Sequence, residues 1–275
     1  MKIVLRAPKF VLGIVPVLAT ATIAALPSQA ATLSLADTQL SFSNFSGTLN
    51  PGSINTFSNT DTPTVAVQGV VTADANATAG FGGTPPQPSN FANGVVRGDG
   101  VEYTGTAFAE AALQGQYAVQ KTLSFDFEAL FRLATAVDDS TTETATSSGS
   151  LFFQLFDTTN ANKPILLDTF SIVGLLNSSG NNDFLDSEIS PYIKLSSTSS
   201  FEKAFGGNQE FVDISVKGTY NRIFNEPVLI TLTEGKSIEA NASAVPEPFT
   251  VLGTVLVGVG GAALKRRQAS ASRRM

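Results

Sequence analysis

Across 275 residues the chain has no cysteine, no histidine and no tryptophan. Without cysteine there is no disulfide, no lipid-bearing thiol and no thiolate metal centre, so stability must come from a packed core. Without histidine, the Ser-His-Asp and Cys-His arrangements, imidazole zinc sites and histidine acid–base chemistry drop out. Positive charge is scarce as well: between Ala31 and Pro248 the chain has 9 Lys and Arg against 23 Asp and Glu, a net charge of −14. Such a surface repels nucleic acid and anionic headgroups and attracts divalent cations or cationic groups. No internal repeat is visible.

The remaining cations gather at the ends. Lys2, Arg6 and Lys9 precede an apolar stretch, residues 10–26, and Ser28-Gln29-Ala30 places small residues at the −3 and −1 positions of a cleavage site. This pattern predicts a secretory signal peptide over residues 1–30, cut between Ala30 and Ala31, with the general secretion machinery as a partner. At the other end, Val245-Pro246-Glu247-Pro248 leads into an uncharged run, residues 249–264, closed by Lys265-Arg266-Arg267. As a helix the run would span about 24 Å. A bilayer core is about 30 Å thick, a shortfall that snorkelling cations and local thinning can absorb. The one-sided basic cluster puts Lys265 to Arg267 in the cytoplasm and everything before Pro246 outside. The two prolines keep the segment before the span extended and open to a processing enzyme.

Pro-Glu-Pro, a hydrophobic helix and a basic cluster, in that order at the end of an exported chain, resemble the PEP-CTERM sorting signal of bacterial proteins. That signal is handled by an exosortase, a membrane-embedded, cysteine transpeptidase-like enzyme. The resemblance covers residues 245–267. It implies that Pro246, Glu247 and Pro248 are the recognition motif, residues 249–264 the transmembrane part and Lys265, Arg266 and Arg267 the membrane stop. The family pattern is departed from by the tail, residues 268–275, which repeats the basic cluster weakly with Arg273 and Arg274. The resemblance also implies an exosortase, the membrane and an exopolysaccharide layer as surroundings, the protein being transiently anchored and then found at the cell surface or outside it.

Between the two signals the apolar pattern has period two almost throughout. The longest case is residues 123–137: Leu123, Phe125, Phe127, Ala129, Phe131, Leu133 and Val137 share one face, and Ser124, Asp126, Glu128 and Arg132 the other. Strands are also expected near 33–42, 65–79, 101–111, 151–157, 165–176, 184–195, 211–224 and 228–240. Residues 44–63 read as a long surface loop, and 80–100, with Gly82-Gly83 and Pro85-Pro86, as irregular. Residues 138–150, rich in Thr and Ser, read as a hairpin tip or weakly registered pair, and 200–205 as a helical turn. About ten strands with few helices predict an all-β, antiparallel sandwich of jelly-roll type. The expected organisation is a signal peptide (1–30), the ectodomain (31–236), a linker with the Pro-Glu-Pro motif (237–248), the span (249–264) and a basic tail (265–275).

The candidate chemistry is thin. Asp126 and Glu128 share a strand face at a spacing compatible with a carboxylate-based glycan hydrolase or lyase, although solvated charges on a wet sheet face are the simpler reading. Asp183, Asp186 and Glu188, with Asn181 and Asn182, supply alternating oxygen ligands suited to Ca²⁺, although an acidic turn is the simpler reading, and no other cofactor is suggested. Ser200-Phe201-Glu202-Lys203 has the letters of a penicillin-binding motif but lacks its partners. Arg97-Gly98-Asp99 and the sequons at Asn44, Asn76, Asn177 and Asn241 read as accidents. The expectation is a non-catalytic, structural or adhesive protein of an exopolysaccharide matrix, with a Ca²⁺-dependent carbohydrate-binding module or a glycan-cleaving enzyme as alternatives.

Overall fold

The computed structural model describes residues 31–180 and 182–245. The expected signal peptide with Ala30, the Pro246-Glu247-Pro248 motif, the span 249–264 and Lys265 to Arg267 lie outside the described residues. Among the described residues every regular element is a strand: β1 (Ala31–Ser43), β2 (Thr48–Asp61), β3 (Thr64–Gly82), β4 (Gln87–Val119), β5 (Thr122–Ala136), β6 (Glu143–Asp157), β7 (Ile165–Asn177), β8 (Phe184–Ile189), β9 (Ile193–Leu195), β10 (Ser200–Ala204), β11 (Gln209–Ile223) and β12 (Val228–Ala244). All pairings are antiparallel, and they join the twelve strands into one sheet with the main order β10-β11-β5-β1-β4-β12-β6-β7-β8. The sheet curls into a nearly closed barrel.

Strand β4, 33 residues long, makes the curl possible. Its first half pairs with β1 and β3, and its second half with β12 and β2. The corner between them holds Gly98, over which the Tyr103 ring lies, and Gly100, whose φ of 106° only glycine adopts without strain. The half built on β1 and β5 then faces the half built on β12, β6 and β7. The chain itself bridges the remaining gap: after β8, the Ser190 amide donates to the Thr169 carbonyl of β7, and the Asn221 amide of β11 donates to the Tyr192 carbonyl.

The core follows from the β5 alternation. Leu123, Phe125, Phe127, Ala129, Phe131, Leu133 and Val137 are all buried, as their shared face predicts. Phe125 and Phe127 meet Phe42, Phe153 and Phe170 with ring centroids 5.0–5.7 Å apart, while Phe45 stacks between Tyr117 and Phe125 at 4.5 and 4.7 Å. Large rings on one half meet small residues on the other. A Cβ added at Gly149 or Gly174 would come within 3.2 or 3.1 Å of Phe131.

Several local expectations are corrected. Residues 48–61 are strand β2 rather than loop, and within 80–100 only residues 83–86 escape the ladder, because β4 offers both segments a continuous hydrogen-bonding edge. Pairing of this kind overrides weak local propensity. The polar stretch 138–150 divides into a turn, 138–142, and the start of β6. Residues 200–204 are edge strand β10, paired with β11, not a helical turn. The linker expected from Ser237 onward is strand as far as Ala244, held between β4 and β6 on both sides.

Candidate functional site

The carboxylates singled out in β5 lie on its outward face, each opposite a partner on β11. Register places Asp126 across from Thr219, Glu128 across from Lys217 and Arg132 across from Asp213. Thr219 Oγ1 donates to Asp126 Oδ1 at 3.0 Å, Lys217 Nζ to Glu128 Oε1 at 2.7 Å and Arg132 Nε to Asp213 Oδ2 at 3.0 Å. Asn44, held at a φ of 57° beyond β1, adds its amide to Asp126 Oδ2 at 2.7 Å. Asp37 on β1 extends the ladder: burial raises its pKa, the facing Arg132 lowers it and Asp213 raises it again. Around Asp126 and Glu128 the surface dips into an open depression of about 480 Å³, completed by Ser43, Lys194, Leu195 and Ser196.

A glycosidase acid is kept protonated by an apolar pocket. Here the Glu128 side chain is 63% exposed and paired with a lysine. The one aromatic residue lining the depression, Phe127, is buried, with its ring among those of the core. Both carboxylates are committed to cross-strand partners.

The three acidic residues proposed as Ca²⁺ ligands are not gathered. Asp183 Oδ1 accepts the Asn177 amide at 2.8 Å, and the Asp183 carboxyl lies beside Glu210. Asp186 and Glu188 are two residues apart on the exposed edge strand β8, and Asp186 Oδ1 accepts the Ser187 amide. Among the described residues no three Asp or Glu side chains come within metal-ligating reach of one another. Ser200 and Lys203 lie three residues apart on edge strand β10, which puts them on opposite faces, and Lys203 Nζ is 4.9 Å from the Phe205 ring centre. Arg97, Gly98 and Asp99 are ladder residues of β4, not a loop.

Two buried polar clusters escape a reading of the sequence by motif. At the seam of the barrel Asp168, 5% exposed, accepts hydrogen bonds from Ser190 Oγ (2.5 Å), Tyr220 OH (2.6 Å) and Arg222 (2.7 Å). The Arg222 guanidinium is flanked by Tyr192 and Phe224 at 4.7 and 5.6 Å. This cluster ties β7, the β8–β9 crossing and β11 together where the hydrogen-bonded ladder is interrupted. The second cluster is inside the barrel. Glu234 and Lys236 of β12 are buried and hydrogen-bonded to each other, and Asn90 of β4 lies against the Glu234 carboxyl. Neither side-chain atom of Asn90 has a well-formed hydrogen bond, nor has Glu234 Oε2. The sequence did hold a signal for this pair: Ile230, Leu232, Glu234, Lys236, Ile238 and Ala240 are one alternating, inward-facing series.

No family model, no curated protein and no solved structure matches this chain.

Proposed function

We propose that the chain is an exported protein carrying a PEP-CTERM-like sorting signal and handled by an exosortase. Its sandwich-like, jelly-roll-like β domain acts without catalysis, as a structural or adhesive component of an exopolysaccharide layer at the cell surface. The observation that carries the reading is the extent and polarity of the sheet. Strand β12 ends at Ala244, two residues before Pro246, so the sheet reaches almost to the expected sorting motif.

Both ends leave the barrel at one pole, against the same turn. The Ala31 amide donates to Asp138 Oδ2 at 3.0 Å and the Val245 amide to the Thr142 carbonyl at 2.9 Å. Because β12 runs to Ala244, the uncut chain would leave only residues 245–248, at most about 14 Å of extended backbone, between barrel and span. That distance holds the domain against the membrane until the tail is cut.

The test is intact-mass analysis of protein from native cells, fractionated into membrane, periplasm and medium, with and without the exosortase. The expected species begins at Ala31, ends near Pro246, is found outside the inner membrane and disappears when the exosortase is absent. A chain ending at Met275 and retained in the inner membrane would overturn the sorting reading.

A further inference from the structure

Lys236 is the one cation among the described residues that is fully buried, and its partner Glu234 is buried as well. Taking two charges out of water costs more than their attraction commonly returns, and apolar residues of equal size would hold the core better. Burial pushes the Glu234 carboxyl up and the Lys236 ammonium down, each opposed in part by the other, so the two groups are brought close enough in proton affinity for a proton to pass between them. Asn90 completes the group. Its carboxamide, 5% exposed, lies against the same carboxyl with no hydrogen-bond partner of good geometry. Buried amides are satisfied in nearly all native interiors. An unsatisfied one that shares a buried carboxyl with a buried lysine brings an amine, a carboxamide and a proton carrier to one point, the groups an acyl transfer needs.

We infer that Lys236 and Asn90 form an intramolecular isopeptide bond inside the barrel. Lys236 gives a proton to Glu234, and its neutral Nζ attacks Asn90 Cγ to give a tetrahedral centre. Glu234 passes that proton to Nδ2 and takes another from Nζ, the Cγ–Nδ2 bond breaks and ammonia leaves, carrying the second proton away as ammonium; the amide formed joins Cγ to Nζ. Atoms and charge balance without oxidant or cofactor: a lysine ammonium and a carboxamide become a secondary amide and an ammonium ion. Glu234 touches both reacting groups and is the catalytic residue, while the surrounding Leu40, Leu113, Leu151 and Phe153 belong to the same dry core. The product ties β12 to the first half of β4, two elements that face each other across the barrel at this level. It supplies the covalent brace that a chain without cysteine cannot make as a disulfide. The chemistry needs only the folded barrel and does not depend on where the protein resides.

The experiment is intact-mass measurement of the folded, full-length protein under denaturing conditions, followed by tryptic digestion and tandem mass spectrometry. The expected mass is lower than that of the sequence by one ammonia. Trypsin fails to cut after Lys236, and one branched peptide joins the segment holding Asn90 to the segment holding Lys236. Glu234→Gln slows formation by on the order of 100-fold or more, and Lys236→Met abolishes it. The wild-type measurement stands even if these variants fold poorly. A wild-type mass equal to that of the sequence, with both segments recovered as linear peptides, overturns the inference. So does an ammonia loss traced to a linear peptide, as a succinimide at Asn93-Gly94 would give.

Discussion

At the scale of single residues, the side chains that matter most to stability are the buried polar ones, and they act in opposite directions. Asp168 satisfies three donors at the seam, so Asp168→Ala leaves Tyr220 and Ser190 without this acceptor and a partly buried Arg222 with only the Leu167 carbonyl. A loss of about 3–5 kcal/mol is expected, read as a lowered midpoint in urea unfolding. Glu210 has the opposite character. It is 2% exposed, and burial raises its pKa above the usual value although the Thr135 hydroxyl and the Gly206 amide favour its charged form; nearby Asp183 raises it further. A carboxyl whose folded pKa is raised contributes stability that is fully present below its unfolded value and lost as pH rises through the folded value. Glu210→Gln should therefore raise the melting temperature at pH 7 relative to wild type and leave it nearly unchanged at pH 4. Asp139 runs the other way. The Thr141 amide and hydroxyl, with the Thr142 hydroxyl, lower its pKa, so its contribution is present above about pH 4 and disappears as pH falls through the folded value. Equal melting shifts for Glu210→Gln at both pH values would show that its burial carries no electrostatic cost.

At the scale of elements, the ladder between β5 and β11 shows what the sequence made legible and what it did not. That Asp126 and Glu128 face outward follows from the alternation of β5 alone, as does the burial of Phe125, Phe127 and Phe131. That both carboxylates are already paired does not follow, because Thr219 and Lys217 are some ninety residues away in sequence and only the register brings them opposite. Exposed cross-strand pairs of this kind contribute about 0.2–1 kcal/mol. A double-mutant cycle on Glu128→Ala and Lys217→Ala should give a coupling in that range without loss of the fold, whereas a much larger coupling would mark the depression as a functional site. Strand β2 was hidden for a different reason. Much of its surface is exposed, so no apolar period marks it, and what makes it a strand is the edge of β4. In β4 the inward series Asn90, Ala92, Gly94 and Val96 is written in small and polar letters that do not read as a hydrophobic stripe. Its corner is also a packing site: a Cβ at Gly98 would fall inside the Tyr103 ring, whose hydroxyl is hydrogen-bonded to Thr32. Gly98→Ala should cost about 1–3 kcal/mol, and equilibrium unfolding of this variant tests whether the corner is as tight as the geometry states.

At the scale of the whole molecule, the barrel stands or falls with its last strand. The period-two pattern of β12 weakens after Ile238 into Glu239, Ala240, Asn241, Ala242, Ser243 and Ala244, which is why these residues read as a tether rather than as structure. Yet Ala240, Ala242 and Ala244 are buried, and the segment is hydrogen-bonded along its length to residues 103–110 of β4 and 143–150 of β6. Small side chains suffice there because Ala240 and Ala242 share a small apolar cluster with Val96 and with Ala107, the ladder neighbour of Ala240. Removing residues 237–244 would therefore expose two facing strand edges at once, and unpaired edges recruit other chains. Domains of this kind have only about 5–15 kcal/mol of net stability. Burial of Ile238 alone supplies about 1.5–3 kcal/mol of the favourable side. A chain ending at Val245 should melt at the same temperature as one carrying the full tail, whereas a chain ending at Lys236 should fail to fold cooperatively and aggregate, as light scattering and circular dichroism would show. If the shorter chain melted normally, residues 237–244 would be a dispensable extension. An enzyme that removed them would then release an intact domain, whereas the pairing described here requires any cut that leaves the barrel whole to fall beyond Ala244.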